Sequence, residues 1–168
     1  MATALGNAKT KIQITAPLVN VLDLGSAEVT NGFNNEKTFT NGTGASQAGQ
    51  VFSDTRTTDN TGEELDLAGS LTNGIGDTIT FTAIKAIFIQ AATGNTLDVV
   101  VGGAAANAFV NWVGAAAHTV VVKPGGAFAL VDPGATGYAV TAGTGDLLKI
   151  AASASGNVTY DIVLMGEV

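Results

Sequence analysis

From Val51 to Val168 the chain is a succession of short apolar or alternating runs, each four to eight residues long and closed by Gly, Asn, Asp or Pro. These breaks recur near the ~8–12-residue spacing of β-sandwiches and barrels. Nothing in this region is a good amphipathic helix. The nearest candidate, Ala104 to Ala117, carries Phe109, Trp112 and Val113 at i, i+3 and i+4, but it contains Gly114 and lacks a capping residue. The segment therefore reads as loop, and the region as about eight to ten strands. No period of 20 to 50 residues is visible, which argues against solenoids and propellers.

Several runs carry a mechanism. Ile79 and Phe81 share one face of Asp77 to Thr82 while threonines take the other. Ala83 to Gln90 is apolar on both faces except at Lys85, which predicts a central strand with the lysine at an end or an edge. Lys123-Pro124-Gly125-Gly126 and Asp132-Pro133-Gly134 are turns in which Pro fixes φ and Gly is expected to supply positive φ, isolating Ala127 to Val131 as a strand. Leu147 to Ala152 and Val158 to Met165 flank Ala154-Ser155-Gly156-Asn157 and predict a C-terminal hairpin.

Residues 1–50 differ. Lys11 to Thr15 alternates like a short strand, Pro17 to Leu24 is apolar without a clean period, and Asn31 to Gly44 is dense in turn formers. The expectation is an extended N-terminal arm, residues 1–50, with one or two short strands, leaning on a β domain at residues 51–168 or on a neighbour. Phe33 and Phe39 are its expected anchors.

Composition narrows the chemistry. With 168 residues, 46% of them apolar and 12% charged, the chain has material for one core and is not disordered by charge. The absence of Cys removes disulfides, thiolate nucleophiles and Cys-ligated metals, and a single His removes multi-histidine sites. Seven Lys and Arg against fourteen Asp and Glu give a net charge of −7, with the cations scattered from Lys9 to Lys149, so nucleic acid is a disfavoured partner. Met1 to Thr15 shows no leader pattern. Val99 to Val122 has no charged residue, yet its Ala, Gly, Asn and His content opposes transfer into lipid, and no membrane span is expected.

No catalytic or cofactor motif stands out. There is no Gly-Lys pair for a phosphate loop, and Gly42-Thr43-Gly44, Gly74-Ile75-Gly76 and Gly143-Thr144-Gly145 lack the third glycine of a dinucleotide fingerprint. Gly44 to Gly49 is one residue too long for a nucleophile elbow. His118, with Asp98 or Asp132 as orienter, reads better as the start of the strand Thr119 to Val122 than as a general base. Glu63, Glu64 and Asp66 look like a half-exposed strand rather than a glycosidase pair. Six of the fourteen acids lie between Asp54 and Asp77, a stretch that reads as a solvated edge. Calcium is the cation its Asp54, Asp59 and Glu63 would suit, without EF-hand spacing. No catalytic, cofactor or metal residue is therefore assigned.

The order of motifs in the second part of the chain carries a resemblance. Glu64-Leu65-Asp66-Leu67-Ala68-Gly69-Ser70-Leu71, Ile79-Thr80-Phe81, Ile84-Lys85-Ala86-Ile87, Val101-Gly102-Gly103-Ala104-Ala105 and Asn107-Ala108-Phe109 are followed by Lys123-Pro124-Gly125-Gly126, Gly137 to Thr144, and Thr159 to Leu164. Together they resemble small virion structural proteins of tailed bacteriophages, of the head decoration or cement type, over about Val51 to Val168. The resemblance implies an all-β, antiparallel, jelly-roll-like β-sandwich. It implies a protein on the outer surface of the phage head, made in the bacterial cytoplasm and working as a dimer or trimer that clamps neighbouring major capsid subunits. Phe109 and Trp112 are then candidate interface anchors beside Phe33 and Phe39, with core packing the competing role for the first two. A receptor- or carbohydrate-binding module of a tail or head fibre is the alternative. It would expose several aromatic residues, of which this chain has few.

Overall fold

The computed structural model describes residues 4–168, and among these all regular structure is β. β1 (Ala8–Leu22) and β2 (Gly25–Asn41) form one long antiparallel hairpin, in register from Ala8 opposite Phe39 to Leu22 opposite Gly25. The strands are 15 and 17 residues long, not the short ones the sequence suggests. Its polar positions lie within reach of water on an isolated ribbon, so the ladder can continue through sequence too polar for a core. β3 (Gln47–Ala48) adds a short parallel contact to the end of β2.

The remainder is a sandwich. β4 (Gln50–Thr58) leads to β5 (Glu63–Asp66), then to the small ribbon of β6 (Leu71–Thr72) and β7 (Thr78–Ile79). β8 (Ala83–Ala91), β9 (Val99–Gly102), β10 (Thr119–Val122), β11 (Ala127–Val131), β12 (Tyr138–Ala139), β13 (Leu147–Ala152) and β14 (Val158–Glu167) complete it. One sheet has the order β11-β8-β14-β4, with β12 also paired to β8, and the other has the order β10-β9-β13-β5. Eight strands of four or more residues thus form two antiparallel four-stranded layers, within the range that the turn spacing predicts.

Alternation along the strands builds the core between the layers. Ile87, Ile89, Ile162 and Leu164 face Leu65, Val99, Val101, Leu148 and Ile150 across it, all buried. The predicted Ile79 and Phe81 face is buried as expected, although the ladder covers only Thr78–Ile79 and Phe81 N–H instead donates to Leu67 O at 2.9 Å. The Pro124 turn forms as its residues dictate, with Gly125 at φ 73° and Gly126 N–H bonded to Lys123 O at 2.7 Å. Gly134 needs no positive φ, because Asp132 Oδ1 accepts its N–H at 2.7 Å and closes the turn from the side chain.

One expectation about strand pairing fails. β13 and β14 do not form a hairpin: β13 pairs with β5 and β9 while β14 pairs with β4 and β8, so the connection through Ser153 to Asn157 crosses from one layer to the other. A one-faced alternation fixes which side of each strand is buried but not which strand lies beside it. Lys85 lies near the start of β8, an interior strand of its sheet, as the sequence predicts, and it is fully buried. Its Nζ donates to Gly134 O at 2.5 Å and Ala135 O at 2.9 Å and lies 2.8 Å from Glu167 Oε1. The charge is tolerated because ligands close around it.

Candidate functional site

Several ionisable groups of the sandwich join its strands. On β4 and β5, Arg56 donates through Nε and Nη2 to Glu63 Oε2 at 2.7 and 2.5 Å and through Nη1 to Asp54 at 2.9 Å. The buried Tyr160 of β14 donates to Glu63 Oε1 at 2.7 Å. Glu63, on the same face of its strand as Leu65, therefore ties one layer to the other. The hydrogen bond to Glu63 holds the Arg56 guanidinium well above its ordinary pKa against the opposing effect of burial. Burial, and then the bond to Glu63, push the Tyr160 phenol far above its usual value of 10.0.

That shift has a testable sign. An unfolded chain ionises this tyrosine above about pH 10 while the folded chain keeps it protonated, so stability is full below that pH and falls as pH rises through it. The expected slope for Tyr160 is up to about 1.4 kcal/mol per pH unit. Tyr160→Phe is expected to cost about 1 to 2 kcal/mol at neutral pH by leaving Glu63 short of a donor, and to flatten the alkaline limb. Urea unfolding of both proteins at neutral and alkaline pH checks this; parallel limbs contradict it.

The acidic stretch is engaged in the same way. Asp59 Oδ1 accepts from Thr61 N–H and Oγ1–H at 2.8 and 2.6 Å, which lowers its pKa, and Asp66 Oδ1 accepts from Ala68 N–H at 2.9 Å. Among the described residues no group of three or more His, Asp or Glu is arranged to hold a metal ion. Asp54 and Glu63 instead share a guanidinium. The exposed His118 has Nδ1 2.9 Å from Val113 O and immediately precedes β10. Its two candidate orienters are engaged elsewhere: Asp98 pairs with Lys123 at 2.7 Å and Asp132 closes its own turn.

Of the aromatic candidates, Phe109 is buried in the main core and Trp112 packs partly buried against it, its Nε1–H donating to Phe109 O at 2.9 Å and its ring 5.6 Å from that of Phe128. Phe33 and Phe39 lie on the hairpin. Because β1 and β2 pair with residue numbers summing to 47, one face carries Ala8 and Phe39, then Thr10 and Lys37, Ile12 and Asn35, Ile14 and Phe33, Ala16 and Asn31, and Leu18 and Val29. The other face carries Lys9, Lys11, Gln13, Thr15 and Pro17 with Thr38, Glu36, Asn34, Gly32 and Thr30, and then, toward the tip, the exposed Val19 and Val21 with Glu28 and Ser26.

The two ends of the apolar face have opposite fates. At the base Phe39 is fully buried in a second small core with Ala48, Ala86 and Met165, against which Ala8, Val51 and Val131 pack. Farther out Phe33 is 55% exposed, Leu18 65% and Leu24, in the two-residue connection, 103%. Ile14 and Val29 are exposed as well.

The register of the sandwich explains where the base sits. On the outer face of the β11-β8-β14-β4 sheet, Val131, Ala86, Met165 and Val51 form one apolar row, Ala129, Phe88, Val163 and Ser53 the next, and Ala127, Gln90, Asp161 and Thr55 a polar one. The hairpin base covers the first row. Beside it a groove of about 290 Å³ opens, lined by Thr10 and Ile12 of β1 and by Ala86, Phe88, Val163 and Met165 of the sheet. Sequence reasoning marked Phe33 and Phe39 but missed Leu18, Val29 and Leu24, whose signal appears only once the pairing register puts them in line.

No protein-family model matches the chain, and neither a curated protein nor a solved structure matches it at a significant level.

Proposed function

We propose that the chain is a structural virion protein that binds the outer surface of a tailed-phage head and stabilises contacts between major capsid subunits. The observation that carries this reading is the hairpin, a ribbon whose apolar face is buried at the base and left in water beyond it. Exposed apolar surface of that continuity marks a surface meant for protein contact. The engagement of Arg56, Glu63, Tyr160 and Lys85 in contacts that join strands supports reading the sandwich as a scaffold. We also read the eight main strands, in orders β4-β14-β8-β11 and β5-β13-β9-β10 with the chain crossing between the sheets at every step but β9 to β10, as a jelly roll. On a capsid lattice many weak contacts act together, so no single residue need dominate.

Co-sedimentation of the purified full-length chain with expanded heads lacking it, from the phage that encodes it, tests the proposal. Saturable binding at a fixed ratio to the major capsid subunit is expected. Recovery on tails or on host cells, and not on heads, would replace this reading with the adhesion module.

A further inference from the structure

We infer that the exposed face of the hairpin is covered by a second copy of this chain, in an antiparallel two-fold pairing of hairpins that seats each tip over the groove at its partner's base. This rests on reading the hairpin as an assembly surface, and adds what that surface holds.

Charge selects the arrangement. At the base the stacked face carries Lys37, opposite Thr10, while Lys9, Lys11 and Glu36 lie on the other face. Asp23 lies in the connection at the other end, and Glu28, opposite Val19, is on the other face. Between Lys37 and Asp23 the rungs Ile14–Phe33, Ala16–Asn31 and Leu18–Val29 carry no charge. Stacking two such faces in parallel would set base against base and tip against tip, like charges together. Antiparallel stacking sets acidic tip against basic base twice and presses the uncharged rungs together at the centre. A two-fold axis near Ala16 to Leu18 does this, with the same patch used by both copies.

Shape agrees with charge. In that pairing the tip of one copy, with Leu24 wholly in water, reaches the base of the other, where the apolar groove beside Ile12 lies open. Beyond the base, the ribbon from residue 12 to residue 22 is about 33 Å long and about 10 Å wide at ordinary strand spacings. Two faces of that size account for roughly 700 Å², and two tips seated in grooves carry the total past the about 1,000 Å² that a specific interface requires. Edge-to-edge pairing through β1 is opposed by Pro17, which has no N–H to offer a ladder.

Sedimentation velocity of the full-length chain in the micromolar to submillimolar range tests this without heads. The wild type is expected to sediment as a dimer. Leu18→Asp and Val29→Asp, each on the apolar face, are expected to sediment as monomers with an unchanged far-ultraviolet circular dichroism spectrum. Leu24→Ser is expected to weaken the dimer by roughly a hundredfold, since two leucines return to water. Thr30→Asp, on the opposite face, should leave it intact. A monomeric wild type, a dimer indifferent to Leu18→Asp and Val29→Asp, or a dimer lost in Thr30→Asp would each overturn the inference. A monomer that still binds heads defeats this inference alone, and a dimer that does not bind them defeats only the virion reading.

Discussion

Replacing Lys85 with alanine is expected to lower folding stability by about 3 to 5 kcal/mol, the cost of leaving a buried charge without its partner. The ammonium is fully buried and serves Glu167, Gly134 O and Ala135 O together, so its removal strands a carboxylate whose side chain is only 11% exposed and frees two carbonyls. It also unpins two parts of the chain from the start of β8: the loop after β11 and the end of β14. Lys85→Met, which fills the space, should recover little while Glu167 stays charged, whereas Lys85→Met combined with Glu167→Gln should recover most of the loss, because an apolar pair of similar volume often replaces a buried ion pair without penalty. Urea unfolding of the four proteins checks this. If Lys85→Ala costs less than about 1 kcal/mol, the pair is not holding these segments.

Gly166→Ala is expected to cost about 3 kcal/mol, at the upper end for inserting one methyl group into a packed site. Gly166 lies where β14 shifts register against β8, and a Cβ there would collide with the carbonyl oxygen of Ala83 and approach Phe81 Cδ1 at 2.9 Å. The obstacle is backbone of the central strand, which cannot turn aside as a side chain could. Gly69→Ala, with nothing within 4 Å of its Cβ position, should change stability by no more than about 0.5 kcal/mol. Thermal unfolding of the two variants separates a steric effect from a general intolerance of glycine replacement; equal losses would point to the latter.

Much of the sandwich was legible because its signals are local. The Pro124 and Asp132 turns isolate β11, the Val-rich run after His118 is β10, and the alternation of Val158, Tyr160, Ile162 and Leu164 is the buried face of β14. What was not legible depends on distant partners. Lys85 meets Glu167 from the far end of the sequence, and its place near a strand end could be read locally while the partner that lets it be buried could not. β13 and β14 are adjacent in sequence and assigned to different layers, a choice made by their neighbours β9 and β8. The hairpin was hardest, since its polar and apolar residues sort into two faces only through the pairing of Ala8 with Phe39 and every rung after it. For the candidate site, Phe33 and Phe39 could be marked as anchors, but only the register shows that they share one face, Phe39 buried at the base and Phe33 exposed midway along the ribbon.

A heat challenge of DNA-filled heads that lack this protein, with and without the purified chain added back, tests the central claim most directly. The account predicts that added protein saturates the heads and raises the temperature at which they release DNA. Heads that bind the chain yet release DNA at the same temperature would contradict a stabilising role, and heads that do not bind it would contradict the virion assignment itself.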